Sequence, residues 1–250
     1  MSADLNARRV LITGASSGIG AAIAEAVVNA GGSVGLMARS AEAIDELVDR
    51  LGERAVSALA DVTDAEAVAA AIERAAEAMG GLDAVVCSAG LVRPGGIRTS
   101  APDDWQTMFD VNVLGVLNTV HGALGRLDAA VGDERGPADV IVISSMSGRR
   151  RSSVQLGFYA ATKFAVHVLS DSLREELGPD GVRVTVISPG FVDTPIFDGV
   201  DDDATRTRYQ DAVATQGLEP GAVADQVVHA LAQPAGVNLV EIAMLSTRQQ

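Results

Sequence analysis

Residues 10–20 read VLITGASSGIG, a short β-branched run followed by a turn that holds three glycines. An alanine-rich stretch of helical composition follows, from about Ile19 to Ala30, so the order is strand, turn, helix. In such a turn Gly14 permits a tight bend, Gly18 lets the backbone approach an anion, and Gly20 allows close helix packing. The free N–H groups at the start of the helix attract phosphate. The stretch therefore predicts a dinucleotide-binding β-α unit, and the alternative is an ordinary glycine-containing loop.

The remainder of the chain repeats this alternation of strand and helix. Seven apolar or β-branched runs are separated by segments of helical composition, among them Ala65–Met79 and Asp104–Leu127. Several runs are continuously apolar, which is typical of buried parallel strands. The pattern predicts one α/β domain over residues 1–250, a Rossmann fold with a doubly wound seven-stranded parallel sheet and helices on both faces. The predicted strands are Val10–Thr13, Ser33–Ala38, Ala55–Val62, Leu82–Cys87, Val140–Ser144, Val182–Ile187 and Leu239–Leu245.

The composition limits the class of protein and its partners. With 48% hydrophobic residues over 250 positions, the chain can bury a full core. A net charge of −14 without a basic stripe argues against a nucleic-acid partner. The longest apolar runs are about eight residues, too short to span a bilayer, and residues 1–9 are too polar for a secretory signal. We therefore expect a cytoplasmic protein that binds neither membrane nor nucleic acid.

Cysteine and histidine are scarce in this chain. Cys87 is the only cysteine, which excludes an intrachain disulfide and a cysteine cluster for zinc. His121, His167 and His229 are scattered without the spacing of a metal site, so a structural role is expected for each. The sequence predicts no bound metal.

The end of the second predicted strand bears on the choice between NAD and NADP. Folds that bind NAD place an acidic residue there, which accepts hydrogen bonds from the adenosine ribose. Residues 36–40 read LMARS and contain no carboxylate. Arg39 with Ser40 can hold a 2′-phosphate, so the sequence predicts NADP(H). A solvated Arg39 in an NAD-dependent protein is the alternative.

Lysine occurs once among nineteen basic residues, and this Lys163 follows Tyr159, one of two tyrosines, by four positions. Phe158–Leu177 has helical composition, which places the two side chains one turn apart on one face. A free tyrosine has a pKa of about 10, and an adjacent ammonium and a bound cationic nicotinamide both favour the phenolate. The pair is therefore a candidate for proton transfer.

Two further stretches are candidates for contact with a substrate. Arg149-Arg150-Arg151 follows the predicted strand end and is either a solvated or subunit-contact run, or a binding site for a carboxylate or phosphate. Asp198–Gln216 is polar and poorly periodic, which indicates either a solvated loop or part of a mobile substrate lid over about residues 191–216.

These motifs together resemble the short-chain dehydrogenase/reductase family over essentially the whole chain. The resemblance rests on the glycine turn, Asp61-Val62, Asn112-Val113-Leu114-Gly115, the strand end at Ser145, Tyr159-Ala160-Ala161-Thr162-Lys163, and Ser188-Pro189-Gly190 followed by Thr194. Residues 237–242 and 246–249 are similar to the branch that contains clavulanate dehydrogenase and 3-hydroxy acid dehydrogenases. The family implies a nicotinamide cofactor, and together with the residues at Arg39 and Ser40 we expect an NADP(H)-dependent oxidoreductase that interconverts a small-molecule ketone and a secondary alcohol. An NAD-dependent dehydrogenase and a non-catalytic NADP(H)-binding regulator on the same fold are the alternatives.

The resemblance also implies roles for particular residues. Ser145 would hold the carbonyl oxygen, Tyr159 would transfer the proton, and Lys163 would orient the nicotinamide ribose. Asn112, the fourth catalytic residue, would position a water that links this lysine to solvent. The implied cofactor-binding residues are Gly14, Ser16, Ser17, Gly18, Ile19, Gly20, Arg39, Ser40, Asp61, Val62, Ser88, Ala89, Gly90, Tyr159, Lys163, Pro189, Gly190 and Thr194.

The sequence departs from the family pattern at two places. Cys87-Ser88-Ala89-Gly90 stands where the family usually has Asn-Asn-Ala-Gly, which predicts an altered but intact cofactor site. Ser145 lies fourteen residues before the tyrosine, one more than usual, so Ser144 is an alternative catalytic serine. The family further implies a homotetramer, or else a dimer.

Overall fold

The computed structural model describes residues 4–132, 136–150 and 153–249. Within these residues, short β-branched runs form a sheet of seven strands in which all neighbours are parallel. The strands are β1 (Arg9–Thr13), β2 (Ser33–Met37), β3 (Ala55–Ser57), β4 (Ala84–Cys87), β5 (Ala138–Ile143), β6 (Val182–Pro189) and β7 (Glu241–Met244). Their order across the sheet is β3-β2-β1-β4-β5-β6-β7. The prediction of a seven-stranded, doubly wound Rossmann fold is confirmed.

The strand order positions the functional region. Because all strands are parallel, their carboxyl ends meet at one edge of the sheet. The order reverses between β1 and β4, and connections diverge there to opposite faces, which leaves a crevice for ligands. The glycine turn follows β1, and residues 88–90 follow β4, so both predicted binding segments lie at this crevice.

Helices cover both faces of the sheet. They are α1 (Gly18–Asn29), α2 (Ala41–Leu51), α3 (Ala65–Met79), α4 (Pro102–Phe109), α5 (Gly115–Ala130), α6 (Gly157–Leu177), α7 (Asp203–Gln216) and α8 (Pro220–Leu231). Of the helices in the described part of the chain, none is long and apolar enough to cross a membrane.

Alternation along the strands divides the core into two layers. On β1, Leu11 points into a cluster formed with α3, α5 and α6. Its neighbours Val10 and Ile12 point into a second cluster formed with α1, α2 and α8. All three side chains are fully buried. A strand buried on both faces needs apolar residues at every position, which explains the continuous runs in the sequence.

Most predicted strand boundaries differ from the structure by one or two residues, and two predicted elements differ more. The ladder between β2 and β3 ends at Ser57, not Val62, and only single backbone hydrogen bonds from Ala58 and Ala60 continue beyond it. The predicted helix Asp104–Leu127 is interrupted by a π-helical turn at Asp110–Leu114, where α4 passes into α5. An inserted residue of this kind widens the helix locally and re-aims the side chains that it carries.

The polar stretch Asp198–Gln216 is largely helical, and the interpretation as a loop was wrong for Asp203–Gln216. Asp202 caps α7 by accepting a hydrogen bond from the Thr205 N–H at 2.8 Å. The buried residues Tyr209 and Val213 belong to the same small cluster as Phe197, whose ring stacks on Tyr209 at 4.8 Å. With only two buried positions, the apolar face is too narrow to produce a clear helical period in the sequence.

A buried ion cluster lies at the edge of the sheet formed by the amino ends of the strands, opposite the ligand crevice. Asp139 on β5 accepts hydrogen bonds from Arg8 (2.6 Å) and from Nε and Nη2 of Arg183 (2.8 and 2.9 Å). Arg183 also donates to carbonyl oxygens at the end of α8 and after it, including Gln233 and Val237, both at 2.9 Å. The cluster therefore ties the amino ends of β5 and β6 to the carboxyl end of α8.

We predict that Asp139→Asn lowers the free energy of unfolding by about 3–5 kcal/mol, because the change leaves two buried guanidinium groups without their counter-charge. Asp171→Asn is the matched control, since Asp171 forms an exposed ion pair with Arg174, and pairs of that kind contribute about 1 kcal/mol or less. Urea denaturation of both variants measures the difference. Equal losses of unfolding free energy in the two variants would contradict a stabilising role for the buried ion cluster.

Candidate active site

The glycine turn has a conformation that side chains would block. Gly14 (φ +67°) and Gly18 (φ +53°) lie in the left-handed region that favours glycine. A Cβ on Gly14 would lie 2.8 Å from the Ala89 Cα, and one on Gly18 would lie 3.0 Å from the Thr194 Cγ2. A Cβ on Gly20 would overlap the Gly14 carbonyl oxygen. The turn is therefore packed backbone to backbone.

The start of α1 presents its N–H groups to the crevice. Ser17 precedes the helix with an extended backbone, and its side chain forms no capping hydrogen bond. The first turn, residues 18–21, contains no acidic side chain. A helix start without a side-chain cap leaves N–H donors and a partial positive charge for a ligand. This end of α1 fits a phosphate group.

Thr13 fixes the segment that departs from the family pattern. Its Oγ1 accepts hydrogen bonds from the N–H groups of Ser88 and Ala89, both at 3.1 Å. The turn after β4 is thus held through its backbone, by a side chain on β1. This arrangement explains how serine at position 88 is compatible with an intact turn.

A cleft of about 720 Å³ runs along the carboxyl ends of the strands on either side of the order reversal. It brings together most of the predicted cofactor-binding residues: Gly14, Ser16, Ser17, Gly18, Ile19, Gly20, Arg39, Ser40, Asp61, Val62, Ser88, Ala89, Gly90 and Thr194. Among the other lining residues, the sequence did not single out Leu91, Arg93, Val111 and Ile196. They lie in the loop after β4, in the π-helical turn and in a 3₁₀ turn at Pro195–Phe197, where no residue pattern indicates the direction of a side chain.

Arg39 lies at the end of the cleft formed by β2 and β3. Its side chain is 76% exposed, and its Nη1 lies 3.7 Å from Asp61 Oδ2. Partial burial raises the pKa of Asp61, but hydrogen bonds from Thr63 and the charge of Arg39 outweigh burial and hold that pKa below its usual value. Arg39 is therefore a loosely held cation beside a carboxylate that stays ionised.

A smaller cavity of about 170 Å³ adjoins the cleft, and Ile19, Ser88, Gly90 and Thr194 line both. The structure brings the remaining predicted residues together here: Ser145, Tyr159, Lys163, Pro189 and Gly190. Gln249, which the sequence did not single out, also lines this cavity, and its Oε1 accepts a hydrogen bond from the Phe191 N–H at 2.9 Å.

Tyr159 and Lys163 lie one turn apart in α6, as predicted. The Lys163 Nζ is 5.7 Å from the centre of the Tyr159 ring. The lysine is only 5% exposed, and its Nζ donates a hydrogen bond to the Ile143 carbonyl oxygen at 3.0 Å. The lysine therefore joins α6 to the carboxyl end of β5.

Burial controls the acidity of both groups. It raises the pKa of Tyr159 to about 12, although a hydrogen bond with Ser145 acts in the opposite direction. It lowers the pKa of Lys163 to about 8. Each shift favours the neutral form, because the low-dielectric surroundings penalise the charged form. In the chain alone, the lysine therefore does not produce the lowered tyrosine pKa that the sequence suggested.

The hydrogen bond to Tyr159 distinguishes Ser145 from Ser144. Ser145 also accepts a hydrogen bond from the Ser147 N–H at 3.1 Å, which starts a short 3₁₀ turn. The Ser144 hydroxyl is buried and has no hydrogen-bond partner among the described residues. Ser145 is thus the serine that interacts with the tyrosine.

Asn112 lies in the π-helical turn, fully buried, and lines neither cavity. Its Nδ2 donates to the Leu91 carbonyl oxygen (2.9 Å) and to Thr162 Oγ1 (3.1 Å), and its Oδ1 accepts from the Leu91 N–H (2.9 Å). Both amide hydrogens thus have protein partners. The side chain braces the segment after β4 against α6. A Cβ added to Gly90 would lie 3.3 Å from the Asn112 Oδ1 and 3.7 Å from the Lys163 Nζ.

The loop after Ser145 packs tightly on α6. A Cβ on Gly148 would lie 2.7 Å from the His167 Cδ2 and 2.8 Å from the Lys163 carbonyl oxygen, so only glycine allows this approach. On the same helix, the His167 Nε2 lies 3.3 Å from the Ser188 Oγ. Among the described residues, no group of histidine, cysteine and acidic side chains is placed to hold a metal.

The three consecutive arginines have different surroundings. The Arg149 Nε lies 3.5 Å from Glu241 Oε1, on β7. Arg150 lines the smaller cavity. Arg151 lies outside the described residues.

A parallel sheet with a glycine turn at its order reversal defines a Rossmann-fold protein with a ligand cleft at its carboxyl edge. The family model described as short chain dehydrogenase matches residues 8–205. The chain therefore belongs to the short-chain dehydrogenase/reductase family of oxidoreductases.

Relatives and solved structures agree with this placement. An uncharacterized oxidoreductase of Staphylococcus saprophyticus is 35% identical over 96% of this chain and 98% of its own. An alcohol dehydrogenase of Thermococcus sibiricus, solved with 5-hydroxy-NADP, is 29% identical with a TM-score of 0.82, over 97% of this chain and 98% of its own. A family member of Burkholderia phymatum, solved with NAD, is 27% identical with a TM-score of 0.85, over 96% and 89%. Neighbours thus bind both kinds of nicotinamide nucleotide.

We predict that Gly20→Ala weakens binding of nicotinamide nucleotides at least about tenfold, because the added methyl group displaces the start of α1 from the glycine turn. Gly221→Ala in α8 is the matched control, since a Cβ there meets nothing within 4 Å. Calorimetric titration with NADP⁺ measures both dissociation constants. Unchanged affinity in the Gly20 variant would contradict the role of this packing.

Proposed function

We propose that this protein is an NADP(H)-dependent oxidoreductase that interconverts a small-molecule ketone and a secondary alcohol. The observation that carries the proposal is the wall that the two cavities share. The glycine-turn cleft adjoins the cavity lined by Tyr159, Lys163 and Ser145, and five residues line both: Ile19, Ser88, Gly90, Thr194 and Ile196. A dinucleotide in the cleft would therefore extend its reactive end toward a side chain that can exchange a proton.

The cleft residues fit a nicotinamide dinucleotide. The start of α1 and the turn before it would hold the pyrophosphate, since Gly14, Gly18 and Gly20 leave no room for side chains there. Lys163 would hold the nicotinamide ribose, and Arg39 with Ser40 would hold the 2′-phosphate. When bound, the cofactor supplies or accepts the hydride at the carbonyl carbon.

The chain itself binds the substrate oxygen and moves the proton. Ser145 donates a hydrogen bond to the carbonyl oxygen, which stabilises the negative charge that develops there. Tyr159 donates its phenolic proton to the same oxygen in reduction and accepts it in oxidation. Lys163 fixes the position of α6, the helix that carries Tyr159, through its bond to β5. Asn112 is a positioning residue that holds the same helix through its hydrogen bond to Thr162.

The position of Arg39 supports a preference for NADP(H). No carboxylate lies at the end of β2, and the exposed guanidinium lines the cleft. A 2′-phosphate offers a stronger partner than the 3.7 Å contact with Asp61 does, because charge-assisted bonds to phosphate are short and bidentate.

We further propose that residues 191–216 act as a lid on the substrate cavity. Phe191, Ile196 and Phe197 line the cavity wall, and α7 packs behind Phe197 through Tyr209. A displacement of this unit would open the cavity to solvent and admit the substrate.

A homotetramer is the oligomer that we propose, with a dimer as the alternative. Apolar side chains are exposed at the end of α4, at the start of α5 and on α6, namely Phe109, Leu114, Phe164 and Val168. A second exposed pair, Val237 and Val240, lies beside the edge strand β7. Exposed apolar groups on two separate faces favour association through two interfaces.

We predict that Arg39→Ala lowers kcat/KM for NADPH about 10- to 100-fold and changes kcat/KM for NADH about threefold or less, because only NADPH carries the 2′-phosphate. Arg50→Ala is the control, since Arg50 is also an exposed arginine but pairs with Glu25 and does not line the cleft. Initial rates with both cofactors test the proposal. A parent enzyme that prefers NADH would indicate an NAD-dependent dehydrogenase.

We predict that Tyr159→Phe and Lys163→Arg both fold and both lose about 10²-fold or more in kcat, because the first removes the transferred proton and the second puts a larger cation in a buried site. Tyr209→Phe is the control and retains activity. NADPH absorbance with a panel of ketones measures turnover, and thermal unfolding checks the fold. Turnover by Tyr159→Phe at the parent rate would exclude this residue as the acid–base group.

A further inference from the structure

The smaller cavity differs in charge from the rest of this acidic protein. The chain carries 33 acidic and 19 basic residues. Of the described residues that line the cavity, none is acidic, and two are basic, Lys163 and Arg150. Lys163 donates one hydrogen bond to the Ile143 carbonyl oxygen, and in the proposed function its remaining donors hold the nicotinamide ribose and not the substrate. Arg150 is thus the cation that remains for a ligand in this cavity.

Arg149 and Arg150, in the loop after Ser145, have different surroundings, because only Arg149 contacts β7. Arg149 lies 3.5 Å from Glu241, which also accepts a hydrogen bond from the Ser188 hydroxyl at 2.7 Å. Gly148 holds the preceding turn against α6. The Arg150 backbone N–H donates to the Met146 carbonyl oxygen at 3.2 Å. Its guanidinium, by contrast, has no hydrogen-bond or ion-pair partner among residues 4–132, 136–150 and 153–249. The loop is therefore anchored through Arg149, and the next guanidinium is directed to the cavity.

A second polar group in the cavity also lacks a partner. Ser144 lines it, is 4% exposed, and has a hydroxyl with no hydrogen-bond partner in the described structure. A buried hydroxyl without a partner costs about 1–3 kcal/mol, so such groups are usually satisfied by a ligand or water. Ser144 and Arg150 thus offer a neutral and a cationic donor on the wall that carries Ser145.

We infer that the substrate carries a carboxylate and that Arg150 binds it. A single guanidinium matches a carboxylate in charge and can bond both oxygens, whereas a phosphate monoester carries about −1.5 to −2 charges and calls for more than one cation. A cavity of about 170 Å³ restricts the ligand to a small molecule. The substrate class is therefore a small oxo acid and the corresponding hydroxy acid.

This inference rests on the proposed carbonyl reduction, and matched probes separate the two. Acetoacetate and acetoacetamide have nearly the same shape and differ by one charge, and levulinate with levulinamide provides a longer pair. We expect the enzyme to prefer each acid to its amide in kcat/KM. Arg150→Ala should reduce the acid-to-amide ratio at least about tenfold, the loss expected for one charge-assisted bond. Arg150→Lys should restore part of the ratio.

Arg149→Ala is the matched control, because it removes an identical charge from the neighbouring residue, and its acid-to-amide ratio should stay within about twofold of the parent. Three results would overturn the inference: no preference for the acid in the parent, equal losses for acid and amide in Arg150→Ala, or the same ratio change in Arg149→Ala. In each of these cases, the proposed carbonyl reduction stands as long as the ketones are reduced.

Binding provides a measurement that is independent of turnover. Calorimetric titration of acetoacetate into the Tyr159→Phe protein with saturating NADPH should give a dissociation constant that rises at least about tenfold on adding Arg150→Ala. If the parent binds acetoacetate through Arg150 but reduces no carbonyl compound, the proposed function fails while the carboxylate site is supported. Equal dissociation constants with and without Arg150 would overturn the site itself.

Discussion

The hydrogen bond from the Lys163 ammonium to the Ile143 carbonyl oxygen fixes the rest of the site. It is buried and 3.0 Å long, and it joins the helix that carries Tyr159 to the strand that delivers Ser144 and Ser145. Asn112 braces the same helix from the other side through Thr162. Because three elements meet at this point, the tyrosine, the serine and the cofactor cleft keep a fixed relative position. Such preorganisation is what a reaction that moves a proton and a hydride requires.

The burial that fixes the geometry also disfavours ionisation of the tyrosine. It raises the pKa of Tyr159 to about 12 and lowers that of Lys163 to about 8, so the phenol is neutral near neutral pH while most of the lysine remains protonated. A phenol with that pKa is a poor base near neutrality. A bound oxidised nicotinamide would bring a positive charge into the cleft, and we expect that charge to lower the pKa of Tyr159. Proton transfer is then coupled to the presence of the cofactor, because the chain alone does not supply enough positive charge.

Most of the fold was predictable because the strands are buried on both faces and therefore appear as apolar runs. The glycine turn was predictable because only glycine tolerates its conformation and its contacts with Ala89 and Thr194. Helix α7 was missed because it buries only Tyr209 and Val213, and the π-helical turn was missed because its residues continue the helical composition of α4 and α5. The division of roles between Arg149 and Arg150 was also beyond the sequence, since it depends on Glu241, ninety-two positions away.

The most direct test is a titration of the Tyr159 phenol with and without bound NADP⁺. The chain has two tyrosines, so Tyr209→Phe leaves Tyr159 as the only source of the near-ultraviolet phenolate band. We expect Tyr159 to have a pKa of about 12 in the free protein. With NADP⁺ bound, the pKa should fall by about 2 units, the shift expected for a positive charge within reach of the phenol. An ordinary pKa of about 10 in the free protein, or the same value in both states, would contradict the central claim.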